Sequence, residues 1–348
     1  MEADGAELEG QALVSIVMPC HNAGAYLDEA LGSVRDQTYR PLELSVWDDH
    51  STDDSLAKVL SWKPKLEEVG IRVAVTSARD GKDGPAGIGC ARNGAVRASS
   101  GVALCHLDAD DIMLPGRVES QMKALRQNPR ALIGSKFRRT PEGSTPYYTA
   151  WINGLTPKRL LLEQYRECTV ICPSWFYSRR SFERAGGYVE DRDNPEDLTF
   201  FNVHLDAGGA LARVDEELVV YRYVPGSFSG RTSKRTLQRA RIPFLERRVL
   251  CGWPAFTIWG AGRDGRRFLN DLPAPMAARV RAFCDIDPKK VGSCYRCRRL
   301  GKEIPIVHFS QAEAPLIICV GTKVFGGAVE ANIATLGLTE GVDYFHFN

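Results

Sequence analysis

Three aspartates fall within four positions at Asp108, Asp110 and Asp111, directly behind the apolar run 102–107. Acids at that density repel one another, so water, a helix cap or a metal carrying a phosphate must hold them together. Alternate residues of an extended chain face the same side, which lets Asp108 and Asp110 point into one crevice. Paired carboxylate oxygens suit a hard divalent cation, Mn²⁺ or Mg²⁺, that bridges to a diphosphate. The plainer alternative is a solvated turn with Asp111 capping a helix that starts near Leu114. A second acid pair, Glu196-Asp197, opens a helical pattern running to about Asp206. Acids in a first turn favour the helix dipole. A carboxylate there can equally take the proton of a hydroxyl nucleophile.

The elements that must position these acids follow from periodicity. Residues 12–19 (ALVSIVMP) form a continuous apolar, β-branched run and read as a buried parallel strand. Leu27, Ala30, Leu31 and Val34 then recur at helical spacing. Residues 42–48 are a second strand, 53–62 a helix, 71–77 a third strand, 89–99 a helix and 102–108 a fourth strand. Alternating strands and helices predict an open α/β sheet, whose ligands bind beyond the carboxyl ends of the strands. Asp48-Asp49 and Asp108, Asp110 and Asp111 both fall at such ends. The stretch 130–230 is less regular. Residues 231–250 predict a basic helix interrupted at Pro243, and 253–348 a second, smaller α/β domain.

Taken in order, the strand ending P-x-x-N (Pro19 to Asn22), "DDHSTDDS" (48–55), "ARNG" (91–94), "DADD" (108–111) and "ED" (196–197) resemble a family 2 glycosyltransferase of the GT-A fold. The likeness covers roughly residues 12–230. It implies a GT-A nucleotide-diphospho-sugar transferase domain with a Rossmann-like mixed sheet, followed by a basic linker helix (231–252) and a small Rossmann-like C-terminal domain (253–348). It also implies residue roles. Pro19, His21 and Asn22 lie in the nucleotide loop, with His21 where the family often stacks a tyrosine on uracil. Asp49 accepts from the uracil N3–H, Asp108 lies near the ribose and Asp110 ligates the metal. Arg92 reaches the phosphate side. Glu196-Asp197 is the catalytic pair, with Asp197 as general base in a single inverting displacement. Many members carry a histidine near residue 224. Here Val224 stands there, with Ser227, Ser229 or Arg231 as possible substitutes.

Charge divides the chain unevenly. Residues 231–299 hold 17 Lys/Arg against 5 Asp/Glu; with a net charge of +2 overall, the remainder carries −10. Such a segment suits a polyanion or forms a solvated face. Across its whole length the chain resembles the queuosine-tRNA galactosyltransferases, earlier grouped with β-1,3-N-acetylglucosaminyltransferase-like proteins. That resemblance implies UDP-galactose as donor and a tRNA anticodon as acceptor, with Lys234, Arg235, Arg239 and Arg247 as candidate RNA contacts. The alternatives are N-acetylglucosamine transfer to a galactose-containing glycan, a non-catalytic nucleotide-sugar-binding module, and a dehydrogenase run by the second domain. Gly260, Gly262 and Gly265 form G-x-G-x-x-G with Asp285 twenty residues on. Arg263, Arg266 and Arg267 crowd that turn, and a structural or anion-gripping role is expected there, not NAD binding.

At 44% hydrophobic and 25% charged residues the composition is that of a globular protein and excludes a disordered or fibrous chain. The acidic N-terminus lacks the regions of a signal peptide, and no apolar run approaches the roughly 18–20 residues that span a bilayer. Ten cysteines lie scattered without a framework. Reduced thiols and a cytoplasmic location are the expectation, with Cys294-x-x-Cys297 in a plain loop.

Overall fold

The computed structural model describes residues 5–77, 84–224, 232–321 and 327–347. Ser227, Ser229 and Arg231 lie outside the described residues. The chain divides into two compact units: residues 1–160 with 168–232, and 161–167 with 233–348. The basic segment expected as a linker thus groups with the second unit, as does 161–167.

In the first unit, β1 (Val14–Cys20), β2 (Leu42–Asp48), β3 (Ile71–Ser77) and β4 (Ala103–His106) pair in parallel in the order β3-β2-β1-β4. Every residue of β1 is buried, which is why its sequence reads as an unbroken apolar run. Helices α1 (Leu27–Arg35), α2 (Ser55–Glu67) and α3 (Ile88–Arg97) connect these strands. The sheet continues as β7-β6-β8-β5, from β5 (Ile112–Met113), β6 (Ala131–Thr140), β7 (Phe176–Ser178) and β8 (Ala210–Arg222). β4 and β7 are antiparallel, and so are β6 and β7 and also β5 and β8, whereas β6 and β8 run parallel. This is a mixed α/β sheet. Its remaining helices include α4 (Arg117–Gln127), α5 (Pro146–Gly154) and α6 (Glu196–Asp206).

Register puts the chemistry in one place. Cys20 pairs with Asp48, and Val17 with His106. The loops after β1, β2 and β4 therefore leave the sheet side by side, carrying His21, Asp49 and Asp108. Helix α3 covers this edge at very close range. A Cβ on Gly94 would lie 2.2 Å from the Trp47 ring, so only glycine lets α3 seat on β2.

The second unit has a six-stranded sheet, β11-β12-β10-β9-β13-β14. Its strands are β9 (Phe256–Trp259), β10 (Val280–Asp285), β11 (Cys294–Cys297), β12 (Lys302–His308), β13 (Leu316–Ile318) and β14 (Tyr344–His346). All pairings are parallel except β11 with β12. The basic helix α7 (Lys234–Arg248) runs unbroken through Pro243, because Arg241, Ile242, Phe244 and Leu245 are buried around it. That packing outweighs a proline penalty of about 3 kcal/mol. G-x-G-x-x-G joins β9 to α8 (Arg263–Asp271), and a Cβ on Gly265 would meet the Gly260 carbonyl oxygen at 2.0 Å. The CxxC sits on strand β11, not in a loop. At spacing three its two thiols face opposite sides, Cys297 buried and Cys294 exposed. All ten cysteines are free thiols. Among the described residues, no helix is long and apolar enough to cross a membrane.

Gly94→Ala should lower stability by about 1–3 kcal/mol through overpacking against Trp47. The urea unfolding midpoint of the variant, compared with the parent, measures it; an unchanged midpoint would mean α3 is not seated this tightly.

Candidate active site

The loops after β1 and β2 are stapled together by short polar side chains. The Asn22 backbone is left-handed (φ 49°), a conformation asparagine tolerates better than most residues. Its side-chain oxygen accepts the Thr52 N–H at 2.7 Å, and its own N–H donates to Ser51 Oγ at 3.0 Å. The Ala23 N–H donates to Ser55 Oγ (2.8 Å) and the Gly24 N–H to Asp53 Oδ2 (3.0 Å). Most of "STDDS" therefore shapes a loop. His21 is exposed, with Nδ1 2.6 Å from the Asp49 carbonyl oxygen, which fixes the edge of a ring whose face stays open. Asp49 is buried, and its two carboxylate oxygens accept the Ala86 and Gly87 N–H groups at 2.7 and 2.8 Å. It thus anchors the segment entering α3 as well as facing the cavity.

The aspartate cluster divides its labour. Asp111 is buried and does not cap a helix: α4 begins at Arg117, and Asp111 Oδ1 accepts the Arg222 N–H at 2.8 Å. The strand β8 supplies that donor, which is why Asp111 turns inward. Its Oδ2 has no hydrogen-bond partner among the described residues. Burial, then the Asp108 charge, pushes the Asp110 carboxyl up to about 6. Burial, then Asp110 and Asp108, holds the Asp111 carboxyl well above the usual range. Ionising all three acids at once is therefore unfavourable here without a cation. Among the described residues no group of three or more His, Cys, Asp or Glu could hold a metal on its own. Two carboxylates completed by substrate phosphates are, however, an ordinary setting for Mg²⁺ and similar cations. The crowded carboxylates of Asp108 and Asp110 on the cavity lining fit such an ion.

Arg92 was expected to reach the phosphate side. It is instead buried, with Nη1 donating to Glu196 Oε1 and Nη2 to Asp108 Oδ1 at 3.2 Å. Its guanidinium carbon lies 5.7 Å from the centre of the Tyr188 ring. Arg92 therefore joins the aspartate cluster to the head of α6. Its neighbour Asn93 fastens the chain leading to α6: Nδ2 donates to the Tyr188 carbonyl and Oδ1 accepts the Tyr188 N–H, each at 2.8 Å. Glu196 is buried. Burial pushes its carboxyl up to about 7 against the pull of Arg92, with Asp197 adding to the rise. Asp197 is half-buried, and its Oδ1 accepts the Leu198 N–H at 2.7 Å. Beneath the site, His106 Nε2 meets the Tyr177 and Tyr188 hydroxyls at 2.8 and 2.9 Å. Burial, then Arg92, drives the His106 pKa well down, so a neutral imidazole floors the site.

A cavity of about 1000 Å³ gathers these groups, at the upper end of ordinary ligand sites. Pro19, His21, Asn22, Asp49, Asp108, Asp110 and Glu196 line it; Arg92 and Asp197 do not. Val224 does, together with residues that sequence reasoning missed: Arg139, Arg192, Tyr221, Arg222 and Tyr223. Arg222 Nε donates to the Asp110 carbonyl (2.8 Å) and Nη2 to Glu29 (2.9 Å), so a cation stands beside Asp110 two residues before Val224. Alternation in "VVYRYV" could have flagged one face of that strand, but not which cation reaches the acids.

The second unit keeps its candidate residues partly to itself. Asp285 accepts the Ala261 N–H (3.0 Å), the Asp287 N–H (3.0 Å) and Lys290 Nζ (3.1 Å), so its carboxylate closes its own turn. Arg235 and Arg239 both pair with Asp271, at 3.1 and 3.0 Å. Arg247 lies 4.8 Å over Phe244. Lys234 is exposed.

Residues 15–186 match the family described as Glycosyl transferase family 2. Over 116 residues the chain is 36% identical to the Escherichia coli UDP-Glc:alpha-D-GlcNAc-diphosphoundecaprenol beta-1,3-glucosyltransferase WfgD. That match takes in 33% of this chain and 42% of WfgD, so the chain spans less than half of that relative. Over 191 residues it is 28% identical to the chondroitin synthase of Pasteurella multocida, covering 54% of this chain and 18% of the synthase. The solved structure of S. aureus TarS in complex with UDP-GlcNAc superposes with a TM-score of 0.54 at 15% identity, over 77% of this chain and 84% of that one. The shared feature is the GT-A fold.

Arg92→Leu should cost about 3–5 kcal/mol by stranding buried acid. Arg92→Leu combined with Glu196→Leu should recover part of that loss. Urea unfolding of the parent and the three variants gives the coupling, and a double variant no better than Arg92→Leu would deny the pair.

Proposed function

We propose that this chain, which carries a family 2 glycosyltransferase domain, moves galactose from UDP-galactose to the queuosine nucleoside of a tRNA anticodon, with inversion. The observation that carries the transferase reading is that one cavity is lined by Asp49, Asp108, Asp110 and Glu196. The donor's uracil belongs on the His21–Asp49 side, with His21 as the stacking ring. Asp108 faces the ribose. Asp110 would hold a Mn²⁺ or Mg²⁺ ion, which supplies, when bound, charge neutralisation for the departing diphosphate. Arg222, bonded to the Asp110 carbonyl, adds a fixed positive charge in the neighbourhood where other members place a histidine.

The reaction needs one proton acceptor. A sugar or cyclitol hydroxyl is a weak nucleophile until a carboxylate takes its proton as the new bond forms. Glu196 is bonded to Arg92; its neighbour Asp197, half-buried and off the cavity lining, is assigned as that acceptor, which requires its side chain to turn toward the cavity. The hydroxyl oxygen bonds to the anomeric carbon, the bond from that carbon to the diphosphate oxygen breaks, and UDP leaves from the opposite face. One such displacement inverts the anomeric centre. Glu196, held by Arg92, orients the first turn of α6.

The acceptor assignment is supported by the whole-chain resemblance and by the basic composition of 231–299. Folded RNA is read through backbone and shape, with strong salt dependence. A second reading, sugar transfer to a glycan, is favoured by the names of WfgD, a beta-1,3-glucosyltransferase, and of the chondroitin synthase.

Incubation with Mn²⁺, a panel of UDP-sugars and bulk tRNA, followed by mass measurement of the tRNA, separates the two. A hexose added from UDP-galactose is the expected result; label appearing only on a free oligosaccharide would favour the second. Asp197→Asn should abolish transfer while leaving UDP affinity intact, and Asp110→Ala should abolish it together with the metal requirement. Full turnover in Asp197→Asn would move the proton-accepting role to Glu196.

A further inference from the structure

Three arginines line the cavity, which the buried Arg92 does not, and they differ in what they are committed to. Arg222 is bonded to Glu29 and to the Asp110 carbonyl. Arg192 is exposed and bonded to the Ala86 carbonyl at 3.3 Å. Arg139 is half-buried and pinned flat. Its guanidinium carbon lies 3.7 Å from the centre of the Tyr221 ring, 5.4 Å from Phe137 and 5.9 Å from Tyr148. Its Nε donates to Thr145 Oγ1 at 3.1 Å, and among the described residues neither Nη group has an acceptor. A planar cation fixed by rings, with its two-pronged end free on a cavity wall, is prearranged for a phosphate.

Sheet order decides which phosphate. Arg139 ends β6, paired in register with Tyr221 of β8. β8 lies between β6 and β5, and β5 follows directly on Asp110 and Asp111. Arg139 is therefore one strand farther from the donor acids than Arg222. Around it the polar cavity gives way to rings. Trp151 packs 6.2 Å from Tyr148, Tyr147 is 75% exposed at the start of α5, and Tyr223 on the cavity wall is 47% exposed. The exposed apolar groups of this neighbourhood are stacking platforms, not the aliphatic surface a lipid tail would need. Aromatic faces beside a backbone-gripping cation are how unpaired bases of RNA are held.

We infer that Arg139 grips a backbone phosphate of an RNA acceptor, with Tyr223 on the cavity wall available to stack on a flanking unpaired base. The inference rests on the reading that the acceptor is RNA. It assigns the acceptor side of the cavity to β6, β8 and α5.

The test measures binding of a fluorescein-labelled single-stranded RNA by anisotropy, and of UDP with Mn²⁺ by calorimetry. It uses the full chain, Arg139→Gln and Arg139→Lys. Arg139→Gln should weaken RNA binding about tenfold and lower the log–log salt slope by about 0.7, the value of one single-strand phosphate contact. UDP affinity should stay within about twofold, and Arg139→Lys should recover part of the RNA affinity by restoring the charge. Unchanged RNA affinity in Arg139→Gln would overturn the inference, and a parallel loss of UDP affinity would reassign Arg139 to the donor. RNA binding that depends on Arg139 in a protein that adds no hexose to tRNA would uphold the subsite and remove the transfer reading. Transfer to tRNA untouched by Arg139→Gln would do the reverse.

Discussion

Arg92 is a cation held where water does not reach, and the catalytic half of the cavity is arranged around neutralising it. Stripping a guanidinium of water costs several kcal/mol, regained only when carboxylates meet it at hydrogen-bonding distance. Glu196 and Asp108 do so from two different elements. The interaction therefore ties the loop after β4 to the first turn of α6. The fit of α3 against Trp47 at Gly94 and the grip of Asn93 on the chain before α6 both hold Arg92 in that position.

Around this pair the charges are sorted by depth. Asp111 turns inward to the backbone of β8, Asp110 stays on the cavity wall with its carboxyl pKa raised by burial, and Arg222 donates to the Asp110 carbonyl. A site so arranged is poised for a ligand that brings both a cation and a polyanion. The neutral imidazole of His106, bonded to two tyrosine hydroxyls, gives the acids a floor without adding charge.

How much of this the sequence carried depends on the range of the interaction. Buried parallel strands were legible because β1 is almost wholly apolar and β2 sets Leu42, Leu44 and Val46 at strand spacing, and the acids at their ends were legible from spacing alone. Long strands β6 and β8 were not, since exposed acids in "RVDEEL" interrupt any alternation. Pro243 was read as a helix break because the burial of its neighbours is a tertiary fact. Arg92 meets a partner 104 residues away, so its place between Glu196 and Asp108 lies beyond any local pattern. Arg139 escaped for the same reason: its aromatic cradle is assembled from β6, β8 and α5.

The most direct measurement is a crystal structure with UDP-galactose and Mn²⁺ bound. The account predicts uracil beside His21 and Asp49, and a divalent metal held by the Asp110 carboxylate. It also predicts that Arg92 stays clasped between Glu196 and Asp108, touching no phosphate. A nucleotide seated away from Asp110, or Arg92 swung out onto the diphosphate, would contradict it.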